Sequence, residues 1–285
     1  MKILFGALLL LASELALAAS SINVLSLQFP AWVERNGLSI PLGSGVELQG
    51  GDQVKTGAGG RVQIRFQEGS IVKLGENATF LIDKAALAKD GVFRAGLRVL
   101  AGAFRFTTDA LFKSKGRDVR IDIVRNATIG IRGTDVWGRA RDDKDIVCLI
   151  EGRIEVTGND GNKLQLDQAL QLFQSTRKAP PGPLTFIDPR QLAVLALETE
   201  LEEGKGAATL KGAWRVVASG FANRNERLAA YHGMRAGGYP AELGASGALH
   251  LDGLASEADA QALAASLKGK FPGTYMAGKT GASRR

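Results

Sequence analysis

Apolar and polar residues alternate over long stretches of the chain's first half. From Arg61 the order is Arg, Val62, Gln63, Ile64, Arg65, Phe66, which puts Val62, Ile64 and Phe66 on one face of an extended strand and the polar residues on the other. Gln67-Glu68-Gly69-Ser70 predicts a turn, Ile71 to Leu74 a second strand, Gly75-Glu76-Asn77 another turn, and Thr79 to Ile82 a third strand. A lone hairpin is marginal in water, so this meander needs partners elsewhere in the chain. Val24 to Trp32 and Val46 to Leu48 precede it; Phe93, Leu97 to Leu100, Ala103 to Thr107, Val119 to Ile123, Val147 to Ile150 and Ile154 to Val156 follow. Lys84 to Lys89 reads as a brief alanine-rich helical turn. Short strands, glycine turns and scant helix predict an all-β sandwich or roll over residues 21–176.

The pattern then changes. Lys178 to Pro183, KAPPGP, breaks regular structure and opens a linker over residues 177–210. Within it, Pro189 to Glu203 carries Leu192, Leu195 and Leu197 among alanines and glutamates, predicting a helix that serves as a spacer or a cap. Beyond the linker, a strand-helix-strand order occurs twice. Trp214 to Ser219 is extended, Asn223 to Glu226 opens a helix that Gly237-Gly238 stops, and a strand starts at Tyr239. Ala248 to Leu251 is extended again, Ser256 caps a helix with Glu257 and Asp259 in its first turn, and Thr274 to Ala277 closes the repeat. This predicts a C-terminal α+β domain of ferredoxin-like βαββαβ type over residues 211–278, then a basic flexible tail, 279–285. The expected architecture is multi-domain.

Length and composition agree, since 285 residues at 45% hydrophobic suffice for about two domains. Lys2, the apolar run Ile3 to Ala12 and Ala16-Leu17-Ala18 read as a signal peptide, residues 1–18, too short to span ~30 Å of hydrocarbon. No later segment is apolar for long enough to cross a membrane, and no cysteine follows the signal to take a lipid. The expectation is a periplasmic protein with no transmembrane segment after signal cleavage. The net charge of +7 fits an acidic partner, and export sets nucleic acid aside. Cys148, the single cysteine, cannot form an internal disulfide and sits in the apolar run Ile146 to Ile150, where it reads as a small buried hydrophobe. His232 and His250 are the two histidines, no nucleophile elbow or metal-ligand spacing occurs, and Asp142, Asp143 and Asp145 read as a solvated turn. No enzymatic activity, cofactor or metal is expected.

Two family resemblances sharpen this picture. Gly51-Asp52-Gln53-Val54-Lys55-Thr56-Gly57, Gly60-Arg61-Val62, Glu68-Gly69-Ser70, Ile129 to Asp135 and Glu151 to Val156 together resemble the FecR-type domain, over about residues 45–160. The resemblance implies an envelope β-domain with a protein-contact or scaffolding task. In the family's transmembrane members that domain passes a signal from an outer-membrane receptor to a sigma factor; without their cytoplasmic segment and span, that role is not expected to carry over to this chain. Thr134 and Asp135 are read as side chains that hydrogen-bond backbone at a strand end, in preference to Asp135 as a catalytic acid.

Trp214 to Phe221, Asn223-Arg224-Asn225, Gly237 to Ala241 and Leu249 to Leu254 resemble the SPOR domain, whose family binds septal peptidoglycan and prefers glycan strands stripped of stem peptides. Val217 stands where that family often has glutamine, and Leu254 where it often has phenylalanine. The resemblance implies glycan lying on the open face of the sheet. Arg215, Val217 and His250 share that face by alternation, with Tyr239 or Tyr275 available to stack on a sugar ring. The expected function is a non-catalytic envelope protein that binds peptidoglycan glycan strands through its C-terminal domain in cell division, while its β-domain meets an envelope protein. The alternative is a FecR-type periplasmic sensor that relays a signal to a membrane partner.

Overall fold

The computed structural model describes residues 22–108, 116–123, 127–131, 133–176 and 179–281. The expected signal peptide and the last four residues of the expected tail lie outside these. In chain order the first strands are β1 (Ile22–Gln28), β2 (Ala31–Arg35), β3 (Leu38–Pro41), β4 (Glu47–Leu48), β5 (Gln53–Thr56), β6 (Arg61–Arg65), β7 (Ile71–Leu74) and β8 (Thr79–Leu87). Then come β9 (Phe93–Thr107), β10 (Arg117–Ile123), β11 (Ala127–Ile131), β12 (Asp135–Ala140), β13 (Lys144–Glu151), β14 (Ile154–Gly158), β15 (Lys163–Leu166), β16 (Gln171–Thr176) and β17 (Thr185–Phe186). The chain continues through α1 (Pro189–Ala196), a single 3-10 turn (Leu197–Thr199) and β18 (Ala207–Thr209). It ends with β19 (Trp214–Ser219), α2 (Arg224–Ala236), β20 (Glu242–Leu243), β21 (Leu249–Leu254), α3 (Glu257–Leu267) and β22 (Thr274–Lys279).

The protein is mostly β, and its strands form two sheets that share β9. One sheet runs β3, β2, β5, β8, the first part of β9, β10, β11, β14, β15, antiparallel throughout except between β9 and β10. The other runs β17, β16, β13, β12, the second part of β9, β7, β6, β1. Alternation decides what lies between them: Val62, Ile64, Val72, Leu74, Phe104 and Val136 are fully buried from one sheet, and Val54, Phe80, Ile82, Val99 and Ile121 from the other. The separate segments expected between Phe93 and Thr107 are therefore one fifteen-residue strand. It changes sheets at Gly102, whose φ is +87° and where an added Cβ would stand 2.5 Å from the Ala78 backbone.

A helical turn at Lys84 to Lys89 does not form. Lys84, Ala85, Ala86 and Leu87 extend β8 and pair with Gly96, Ala95, Arg94 and Phe93, so cross-strand pairing overrides the helix preference of alanine. The predicted helix at Pro189 to Glu203 is also shorter. Asp188 caps α1 by accepting from the Arg190 amide at 2.8 Å, Pro189 fills the first turn, and the helix ends at Ala196. After the 3-10 turn, Glu200 is extended.

In the C-terminal part the sheet order is β22, β19, β21, β20, every neighbour antiparallel. Asn223 and Ser256 cap α2 and α3 through the amides of Glu226 and Asp259, and Glu226 in turn accepts from the Ala222 amide. Val216, Ala218, Leu249 and Leu251 are buried with Ala230, Met234, Leu263 and Leu267 of the two helices. This unit does not hang free. β18 pairs with β1 and touches β21 at Leu254, which carries one sheet into the other. Trp32 donates its indole N–H to the Ala236 carbonyl at 2.9 Å, and Tyr239 packs between Phe29 and Phe271 with ring centroids 6.0 Å away on either side. Among the described residues no helix is long and apolar enough to cross a membrane.

Candidate functional site

The five residues expected to hold glycan do not form one surface. Val217 pairs across the sheet with His250 on one side and Met276 on the other, so Val217, His250 and Arg215 do share the face turned away from the helices. Arg215 stands 2.7 Å from Asp252 as an ion pair, which occupies its charge. Tyr275 pairs opposite the buried Ala218 and therefore faces the helices; its hydroxyl donates to the Pro272 carbonyl at 3.0 Å, and burial pushes its pKa up to about 12. Tyr239 is 5% exposed in the junction with the β-domain. Arg215, Val217, Ser219, His250, Asp252 and Met276 make up the centre of the open face. The one ring among them is the His250 imidazole; no tyrosine, tryptophan or phenylalanine stands there to stack on a sugar.

The motif residues of the β-domain build something more definite. Asp52 is fully buried and receives Arg35 through two bonds of 2.7 Å, with a third from the Gln49 amide at 2.9 Å, which pins the turn before β5. Thr134 is 2% exposed; its carbonyl accepts from the Thr108 amide at 2.9 Å, and its own amide donates to the Thr108 hydroxyl at 3.3 Å. Asp135 does not stabilise a turn. Its carboxylate takes Arg105 of β9 in a fork of 2.9 and 2.6 Å and accepts from the Thr107 hydroxyl at 3.2 Å. Arg132 of the same motif lies outside the described residues. Gly130, Gly133, Gly152 and Arg153 rim a cleft of about 1190 Å³ at the end of the first sheet. Its charged lining is Arg117 and Asp118 from β10, Arg153 and Glu155 around β14, and Asp167, with Gln165 of β15 beside them. Burial lowers the Arg117 pKa from its ordinary value while the charge of Glu68 works against that.

A second charged surface was missed in the sequence. The outward face of the second sheet, away from the sandwich core, divides into two halves. Trp137, Ile146, Cys148 and Leu172 form an apolar half on β12, β13 and β16, covered by Ile187 and by Leu192 and Leu195 of α1. Cys148 is fully buried there, and burial pushes its thiol up to about 11. The other half is basic: Arg139 on β12, Arg105 on β9, Lys73 on β7 and Arg61 on β6. The chain after α1 lies over it. Glu198 meets Arg139 at 2.6 Å, Glu200 meets Lys73 at 2.6 and 2.7 Å and Arg105 at 3.2 Å, and Glu202 meets Arg61 at 2.6 Å. The fit is close: a Cβ at Gly75 would stand 2.7 Å from the Glu198 carbonyl. The available signal was the period-two spacing of the three glutamates, which a helical reading of Pro189 to Glu203 absorbs.

Comparison with protein-family models matches residues 52–155 to the family described as FecR protein. The chain thus carries a FecR domain there. No curated protein matches it. Two crystal structures of a candidate anti-sigma factor from Parabacteroides distasonis, at 1.65 and 2.50 Å, are similar to this fold: each is 13% identical with a TM-score of 0.41, over 50% of this chain and 62% of the other. The chain therefore spans less than two thirds of that protein, and a likeness at this score carries no further weight. The FecR match stops short of residues 211–278, and nothing supports a SPOR domain there. Peptidoglycan binding, the function expected from that resemblance, is overturned. The FecR domain favours the regulatory alternative instead.

Proposed function

We propose that this is a regulatory protein of FecR type, exported to the periplasm, which relays an envelope signal to a membrane partner by direct protein contact and catalyses no reaction. The observation that carries the reading is the FecR match itself, because residues 52–155 supply β5 to β13 and so the middle of both sheets. The cleft beside Arg117, Arg153 and Asp167 is the contact site in this reading: it is rimmed by the family's glycine turns and lined with charges of both signs, which favours orientation and specificity over tight apolar burial. The order β22-β19-β21-β20 supports reading the C-terminal unit as a ferredoxin-like second module, joined to the β-domain through β18. The division into a β-domain of residues 21–176 and a C-terminal domain of residues 211–278 is kept as part of this proposal.

The test is photo-cross-linking in intact cells from residues 153 and 165, with 252 on the open C-terminal face as the control position. A cross-link from the cleft to an integral membrane protein, lost in an Arg153→Glu variant that folds normally, is the expected result. Deletion of the gene is expected to change a defined set of transcripts, restored by the wild type and not by that variant. Cross-links to no protein from either cleft position, together with unchanged transcripts, would overturn the reading.

A further inference from the structure

We infer that the basic lane of Arg61, Lys73, Arg105 and Arg139 is a docking surface for an extended acidic segment of a partner protein, and that Glu198, Glu200 and Glu202 are its occupant in cis. The inference rests on the regulatory reading only in taking the competing occupant to be a protein. The lane itself stands on geometry. Four cations on four neighbouring strands converge on one line, and Arg61, Lys73, Arg105 and Arg139 are held with side-chain exposures of 11, 21, 23 and 13%. Cations kept this far from water need counter-charges, and the chain provides them from every second residue of one segment. Arg105 is aimed by its fork with Asp135, so the lane is preformed rather than created by the strap.

The strap is held unevenly. Upstream, α1 is fastened by apolar burial of Leu192. Downstream, Asp259 of α3, 2% exposed, accepts from the Gly206 and Ala207 amides and fixes the entry to β18. Between these anchors the glutamates are the exposed partners, at 35, 31 and 50% for Glu198, Glu200 and Glu202, and Thr199 is the one fully buried side chain of the turn. Ion pairs with one such exposed member are each worth only about 0.2–1 kcal/mol. A segment held between fixed ends by four of them, and by the Glu202 amide donating to the Gln28 side chain at 3.2 Å, is displaced by a matching acidic segment, and the lane then reads carboxylates at alternate positions, as its own occupant presents them.

The experiment compares the full-length wild type with a Glu198→Gln/Glu200→Gln/Glu202→Gln variant. The probe is a fluorescein-labelled peptide that copies residues 196–204; a copy with glutamine at the three positions is the control. The triple variant is expected to bind the acidic peptide at least about tenfold more tightly than the wild type does and to ignore the control. Adding Arg105→Ala and Arg139→Ala is expected to abolish binding. In the wild type, saturating acidic peptide should speed hydrogen exchange at residues 197–203 while exchange in α1 and β18 stays unchanged. Equal affinity for wild type and variant, or no binding to the variant, overturns the lane. If the triple variant does not fold, Glu200→Gln alone carries the same expectation with a two- to fivefold gain, and no gain overturns it. None of these failures touches the cross-links from the cleft, so the lane and the regulatory reading fail separately.

Discussion

Two outward sheet faces in this protein are treated in opposite ways by the chain that builds them. The outer face of the second sheet is roofed: α1 covers its apolar half and the glutamate strap its basic half. Among the described residues nothing roofs the open face of the C-terminal sheet, and its central cation, Arg215, finds Asp252 within its own sheet. The difference follows from composition. A face that presents Trp137, Ile146 and Cys148 beside four cations can be exposed to water only at a cost in both apolar area and unpaired charge, whereas Val217, Ser219, His250 and Met276 are an ordinary mixed surface. A roofed face is where regulation has something to move.

Removing the apolar half of the roof has the largest expected effect. Leu192→Ala should lower stability by about 2–3 kcal/mol, read from denaturant midpoints, because Leu192 is 8% exposed over Trp137 and Cys148. The same variant should let a thiol reagent reach Cys148 several-fold faster than in the wild type, where burial withholds both access and the thiolate. Unchanged labelling would mean that α1 does not seal the face.

A pair of arginine truncations tests the contrast directly. Arg105→Ala strips a partner from Asp135, whose side chain is 13% exposed, and from Glu200, and should cost about 1–3 kcal/mol. Arg215→Ala removes a guanidinium paired with a carboxylate that is 40% exposed and should stay within about 0.5 kcal/mol. Equal costs in urea titrations would erase the distinction between the two faces.

How far these faces were legible in advance depends on the range of the interaction that makes them. Val62, Ile64 and Phe66 announce a two-faced strand because alternation is written in adjacent residues, and Asn223 and Ser256 announce their helices because a cap reaches only three residues onward. The strap is different. Glu200 finds Lys73 127 positions upstream, and Asp135 finds Arg105 across 30, so nothing near either residue says what it will meet. Alanine-rich stretches failed for the same reason: Ala85 and Ala86 are extended because β9 is there to pair with them. The candidate site fared worst. Alternation puts Arg215, Val217 and His250 on one face, and the hand-over from helix to strand at Tyr239 favours a core place for its ring; what nothing local to Tyr239 gives is the neighbour it meets, Phe29.

The smallest expected effect concerns a carboxyl group that lacks what the strap's glutamates have. Glu68, in the turn between β6 and β7, is 4% exposed, and neither carboxyl oxygen has a well-aligned hydrogen-bond partner. Burial raises its pKa above the ordinary 4.5, while Ser70 and the charge of Arg117 pull in the other direction. The folded state therefore holds this proton more tightly than the unfolded chain does. The associated stability is fully present below the unfolded value and is lost as pH rises through the folded one. Glu68→Gln keeps the shape and removes the titration, so the variant should be more stable than the wild type at neutral pH, with the gap narrowing as pH falls through the raised folded value and closed once pH is below 4.5. Thermal midpoints of both proteins across that range decide the matter. A variant less stable at neutral pH would mean that attraction to Arg117 outweighs burial, and Glu68 would then belong with the paired glutamates of the strap rather than apart from them.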